Sequence, residues 1–189
     1  MSEPNINTRK NRSYSLVPYD PSWPLEFDKL NTELSPIFGD NLISFNHFGS
    51  TSIPGMIAKP TIDVCVEVKD LKEVKSMRSK FESLGYESWG NYVGTEEEYF
   101  TLNDSNGNRI YNVHILQTGN QFIEHYIAFR DYLRTHPEKV AEYIAIKEKL
   151  REEFGLDDYN SYNLTKAEKM ETLKNEAKEW YKREHKNPE

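Results

Sequence analysis

The 189-residue sequence predicts an α+β fold, a mixed β-sheet flanked by helices with a helical C-terminal portion. Three observations carry that expectation. Short β-branched runs such as "IDVCVEV" occur only up to about residue 118. Apolar stripes at three- and four-residue steps alternate with those runs, as they do where helices cover a sheet. From about residue 120 the helical spacing continues without a strand signal.

Taken in order, the polar residues 1–13 read as a flexible tail and residues 14–185 as a single domain; the closing "KREHKNPE" resembles the start in composition. After "DPSWP", Trp23, Phe27, Leu30, Leu34 and Ile37 mark one face of a helix that Gly39 stops. A strand is expected near Leu42–His47, then a glycine-punctuated turn, then a strand over Thr61–Val68. There Ile62, Val64, Val66 and Val68 share one face, while Asp63, Cys65 and Glu67 share the other. Leu71 to Leu84 reads as a helix closed by Gly85. "EYFTL" and "RIYNVHIL" flank "NDSNGN", a hairpin signal with Asn106-Gly107 at its turn. Phe122, Tyr126, Phe129 and Leu133 then stripe a helix, and capping boxes at "THPE" and "TKAE" predict two more helix starts, at Thr135 and Thr165.

The bulk composition narrows function. A net charge of −7 argues against nucleic-acid or anionic-membrane partners, which require basic faces. No apolar run approaches the roughly 20 residues of a membrane span, and the start is unlike a signal peptide, so a cytoplasmic protein is expected. The single cysteine, Cys65, reads as a small buried hydrophobe.

The informative stretch is "HFGSTSIPGMIAKPTIDVCVEV", His47–Val68. It is not a Walker A loop, because five residues separate Gly49 from Gly55 and Met56 stands where lysine is required. Gly49-Ser50, twelve residues, then Asp63 in an apolar strand instead resembles the nucleotidyltransferase superfamily that includes DNA polymerase β. With "VHIL", "FRDYLRTHPE" and "YNLTKAEKMETL", the stretch resembles the GrpB-like family within that superfamily over nearly the whole chain. The resemblance implies a nucleotidyltransferase-like mixed sheet, phosphates held at the glycine turn and Mg²⁺ on carboxylates of the following strand. Family members fused to a dephospho-CoA kinase domain point towards coenzyme A or adenylate chemistry.

Asp63 is therefore the expected catalytic and metal-binding acid, because a carboxylate among apolar neighbours needs an ion, a base or a hydrogen bond. His114, alternating with Val113 and Ile115 on a later strand, is expected to join it as base, orienter or metal ligand. Gly49, Ser50, Thr51 and Ser52 are expected to bind phosphate, with Lys59, Arg130 and Lys166 neutralising its charge. Lys166, read as lying in the first turn of a helix, opposes the dipole there, which suggests an anionic partner. The superfamily pairs two acids at adjacent same-face positions, whereas here Cys65 follows Asp63 and the next acid is Glu67. Asp63 and Glu67 lie roughly 13 Å apart along a strand, too far for one two-metal clamp. Two functions remain. One is magnesium-dependent nucleotidyl transfer to a small molecule; the other is a non-catalytic nucleotide-binding or sensing module.

Overall fold

Five strands form one mixed sheet in the computed structural model, which describes residues 14–92 and 94–186. They are β1 (Leu42–Phe48), β2 (Ile62–Val68), β3 (Glu87–Gly90), β4 (Glu97–Asn103) and β5 (Arg109–Gln117), in spatial order β1-β2-β5-β4-β3. β2 and β5 are parallel and the other neighbours antiparallel. The expected tail over residues 1–13 lies outside the described residues.

One sheet face is covered by α1 (Trp23–Phe38), α2 (Leu71–Ser76) and α3 (Arg78–Ser83). Val64, Val66 and Val68 pack there with Leu30, Leu34 and Phe81. Each fully buried side chain of this kind contributes about 1.5–3 kcal/mol. That burial, rather than the marginal propensity of six-residue helices, keeps α2 and α3 folded. The expected single helix over Leu71–Leu84 is in fact two. Met77, at φ −91° and ψ −1°, breaks it, yet Val74 and Phe81 still face the same core, which is why the apolar spacing reads through. β3 escapes sequence reasoning because its four residues are too short to show alternation.

The other half is helical: α4 (Gln121–Thr135), α5 (Pro137–Phe154), α6 (Tyr159–Lys169) and α7 (Glu171–Lys186). Both predicted capping boxes are wrong. Thr135 ends α4, donating its hydroxyl to Asp131 O and Tyr132 O, and α5 starts behind His136 with Pro137 in its first turn. Asp158 caps α6 by accepting from Ser161 N, so "TKAE" lies inside that helix. Lys166 consequently sits in the last turn of α6, where the dipole favours a cation, and the dipole argument for it reverses. The closing segment also differs from expectation, since α7 runs on to Lys186. Among the described residues no helix is long and apolar enough to cross a membrane.

Two further apolar clusters tie this half to the glycine turn. Ile53 and Met56, just beyond the turn, are buried against Tyr132, Leu133 and Tyr143, so α4 and α5 are anchored on it. Tyr14 packs with Leu150, Tyr159 and Tyr162, which seats α6 beside α5.

Candidate functional site

β1 and β2 are antiparallel with Phe48 opposite Asp63, so the chain leaving β1 turns directly over that carboxylate. Gly49 makes the turn at φ 70° and ψ −172°, a conformation essentially restricted to glycine. A Cβ at this position would stand 2.4 Å from Asp63 Oδ2. Glycine is therefore needed twice, for backbone angle and for space. Ser50–Ser52 then form one 3₁₀ turn. Ser52 Oγ donates to Gly49 O at 2.7 Å, and Thr51 Oγ1 donates to Thr61 O.

The turn is braced from outside. Arg130 Nη1 donates to His47 O and Arg134 Nε to Ser52 O, so α4 holds the backbone on either side of Gly49. His47 stacks on Phe27 with ring centroids 5.0 Å apart, and its Nε2 lies 3.0 Å from Thr51 Oγ1. Because Thr51 spends its proton on Thr61 O, the network assigns Nε2 as protonated, donating to Thr51. Burial, and then the charges of Arg134 and Arg130, push the His47 pKa from 6.5 to about 4. Between those two values the unfolded chain binds a proton that the folded one refuses, so this group's contribution to stability is lost as pH falls through that window. Denaturant unfolding from pH 7 to pH 4 should show a slope from this group approaching about 1.4 kcal/mol per pH unit. A His47→Gln variant should flatten it; an unchanged slope would refute the assignment.

Behind the turn is a cavity of about 170 Å³. Ser50, Thr51, Asp63, Lys59, Lys147 and Lys166 are among the residues that line it. Lys147, from α5, is 2% exposed and donates to Ser50 Oγ at 2.7 Å and to Ile57 O at 2.5 Å. Lys59 Nζ donates to Tyr159 OH at 2.6 Å and lies 4.0 Å from the centre of that ring. None of the three lysines forms an ion pair among the described residues. Burial, followed by the charges of Lys166 and Lys59, holds the Lys147 ammonium well below its usual pKa. Burial likewise lowers that of Lys59.

Among the described residues, Asp63 is the one carboxylate lining this cavity. Its Oδ1 accepts from Asn112 Nδ2 at 2.7 Å, because β5 places Asn112 directly beside it. Asn112 Oδ1 accepts in turn from Tyr99 OH and from Arg109, so the amide's orientation is set.

The other expected residues stand elsewhere. His114 is beside Cys65 rather than Asp63, and its Nδ1 donates to the buried carboxylate of Glu97 at 2.7 Å. Glu67, four residues along an unbulged β2, accepts from Ser44 Oγ and Thr118 Oγ1. Arg130 pairs with Asp131 and braces His47 O instead of lining the cavity. Ser52 is turned into the loop. Among the described residues no group of three or more His, Cys, Asp or Glu is placed to hold a metal ion.

This arrangement can be set beside known proteins. The profile of the GrpB protein family matches residues 13–176. The chain belongs to the GrpB family. The UPF0157 protein YqkA of Bacillus subtilis (strain 168) is 36% identical over 172 residues, 90% of this chain and 49% of that protein. This GrpB chain thus spans about half the length of that relative. The glutamate-rich protein GrpB of Alkalihalophilus pseudofirmus is 30% identical over 164 residues, 85% of this chain and 94% of that one. The crystal structure of conserved protein GrpB from Enterococcus faecalis superposes with a TM-score of 0.82 at 30% identity, covering 88% of this chain and 99% of that one.

Sequence reasoning on this GrpB chain missed Lys147 and Asn112. A signal for Lys147 was present: it lies three residues after Ile144 and three before Leu150, a lysine inside the buried stripe of α5. Asn112 had none, since only strand register reveals what stands beside Asp63.

Proposed function

We propose that this chain binds the phosphate chain of a nucleotide or a similar phosphate-bearing small molecule in the cavity behind Gly49. One observation carries the reading: three lysines from different parts of the chain converge with Ser50 and Thr51 on a small cavity that offers them a single carboxylate. Burying an ammonium without a counter-charge costs several kcal/mol, and an anion entering the cavity would offset that cost. The turn adds what a phosphate needs nearby, a glycine that keeps the backbone close and the Ser50 hydroxyl at the wall, whereas the Thr51 hydroxyl is already committed to Thr61 O. A duplex or a membrane cannot enter a space of this size, which favours a small molecule.

Nucleotidyl transfer to a small acceptor is the second reading, and Asp63 supports it as the acid that lines the cavity with the lysines. In that reading an acceptor oxygen attacks the α-phosphate and pyrophosphate leaves, with Asp63 positioned to take the acceptor's proton.

Thermal melts with ATP, GTP, CTP, UTP and dephospho-CoA test the first reading. A ligand at a hundred times its Kd should add about 2.7 kcal/mol. The stabilisation should shrink in Lys166→Ala, which removes a half-exposed cation without opening the core. If none of these compounds moves the melt, the reading is lost. Pyrophosphate release with candidate acceptors then decides between binding and transfer.

A further inference from the structure

Resting on the phosphate-binding reading, we infer that Lys59, Lys147 and Lys166 occupy the role of a divalent cation, so that the site takes a di- or triphosphate as the free anion and not as its magnesium complex. The donor set is the reason. A protein-held magnesium ion needs near-octahedral oxygen ligands, usually beginning with one or two carboxylates free to coordinate. Among the described residues Asp63 is the only carboxylate on the cavity wall, and one of its oxygens is already engaged by Asn112. Asn112 cannot supply another ligand oxygen, because its Oδ1 is turned to Tyr99 OH and Arg109. The next acid on the strand, Glu67, is committed to Ser44 and Thr118, and His114 to Glu97. A dication entering this space would meet three lysines and one acid.

The same geometry suits a bare phosphate chain. The hydrogen-bond partners of two of these ammonium groups are neutral: Ser50 Oγ and Ile57 O for Lys147, which also lies 4.4 Å from the centre of the Tyr143 ring, and Tyr159 OH for Lys59. These contacts position the ammonium groups without neutralising them. Each is left without a counter-charge until it meets an oxygen of the ligand, which lysine binds as a point charge. Asp63 then faces the anion as a like charge. Its effect on binding has a sign opposite to that of a metal ligand, and that difference is measurable.

Calorimetric titration of the full chain with inorganic tripolyphosphate, in EDTA and then in excess Mg²⁺, reads this directly. Binding is expected in EDTA and should weaken when Mg²⁺ complexes the ligand. Asp63→Asn should tighten binding in EDTA by about three- to tenfold, since it removes a like charge a few ångströms away in a partly buried site. Lys166→Ala should weaken binding in EDTA by about tenfold or more, which keeps the inference testable if Asp63→Asn folds poorly. Binding that requires Mg²⁺ and disappears in Asp63→Asn would overturn the inference and leave the phosphate-binding reading intact. Tripolyphosphate that binds in neither condition would overturn both.

Discussion

Lys147→Met is expected to raise the melting temperature of the unliganded protein while abolishing stabilisation by any phosphate ligand. The two effects have opposite signs because they belong to different states. Without ligand, Lys147 is an almost fully buried ammonium whose partners are a hydroxyl, a carbonyl and the face of the Tyr143 ring, none of them a counter-charge. Its burial costs several kcal/mol, and methionine fills much of the same volume without that cost. Against this, Ile57 O loses its lysine donor, a penalty of about 1–3 kcal/mol. The desolvation cost is the larger quantity, so a net gain of about 1–2 kcal/mol is expected, or roughly 2–8 °C for a chain of this length. With ligand present, the variant lacks one of the three cations that line the cavity.

The pH dependence follows from the direction of the Lys147 shift. Its folded-state pKa lies below the ordinary 10.5. The unfolded chain therefore takes up the proton first as pH falls below that value, and the contribution of this group to stability falls with it. Lys147→Met should remove that slope. Unfolding curves from pH 7 to pH 10, for both proteins with and without tripolyphosphate, check all of this. A Met variant less stable than the parent throughout would show that Lys147 is structural.

Gly49→Ala should be the most damaging single-methyl change in the chain, costing about 3 kcal/mol in urea denaturation and eliminating ligand binding. Two penalties combine. The backbone angles at Gly49 cost a non-glycine residue about 1–3 kcal/mol. The new Cβ would also stand 2.4 Å from Asp63 Oδ2, so the carboxylate must swing away and strain its bond to Asn112. These contributions are separable. In an Asp63→Ala background the clash with the carboxylate vanishes and only the backbone part and a 3.0 Å approach to the remaining Cβ are left, so the double-mutant cycle should show coupling of about 1 kcal/mol or more. Full additivity would mean that the clash is relieved elsewhere. By contrast, Gly55, with φ +79° and nothing within 4 Å of its would-be Cβ, should show only the backbone cost.

What could be read from the sequence follows the range of the forces involved. The apolar alternation of "IDVCVEV" marks β2 because its period is local, and the stripe from Trp23 to Ile37 marks α1 for the same reason. The Asn106-Gly107 turn is equally local: Gly107 adopts φ 80°, and Asp104 accepts from Asn106 N and Asn108 N. The helix starts failed where two local signals compete. Thr135 and Glu138 satisfy the spacing of a capping box, yet the Thr135 hydroxyl closes the preceding helix instead. Gly49, Ser50, Asp63, Lys59 and Lys166 were picked out one by one from a turn, a lone acid and charges in odd places. That Lys59 and Lys166 face one cavity across more than a hundred residues of chain was not contained in any of those signals.

Local sequence thus determined an α+β chain with a glycine turn followed by a lone acid in an apolar strand, because periodicity, turn chemistry and composition act within a few residues. Tertiary structure alone decided who stands with that acid: the parallel pairing of β2 with β5 chose Asn112 and not His114, and the docking of α5 and α6 brought in Lys147 and Lys166. The physical reason is that register and helix docking are settled by burial summed over many distant contacts, whereas a site is defined by the few polar atoms those contacts bring to one place.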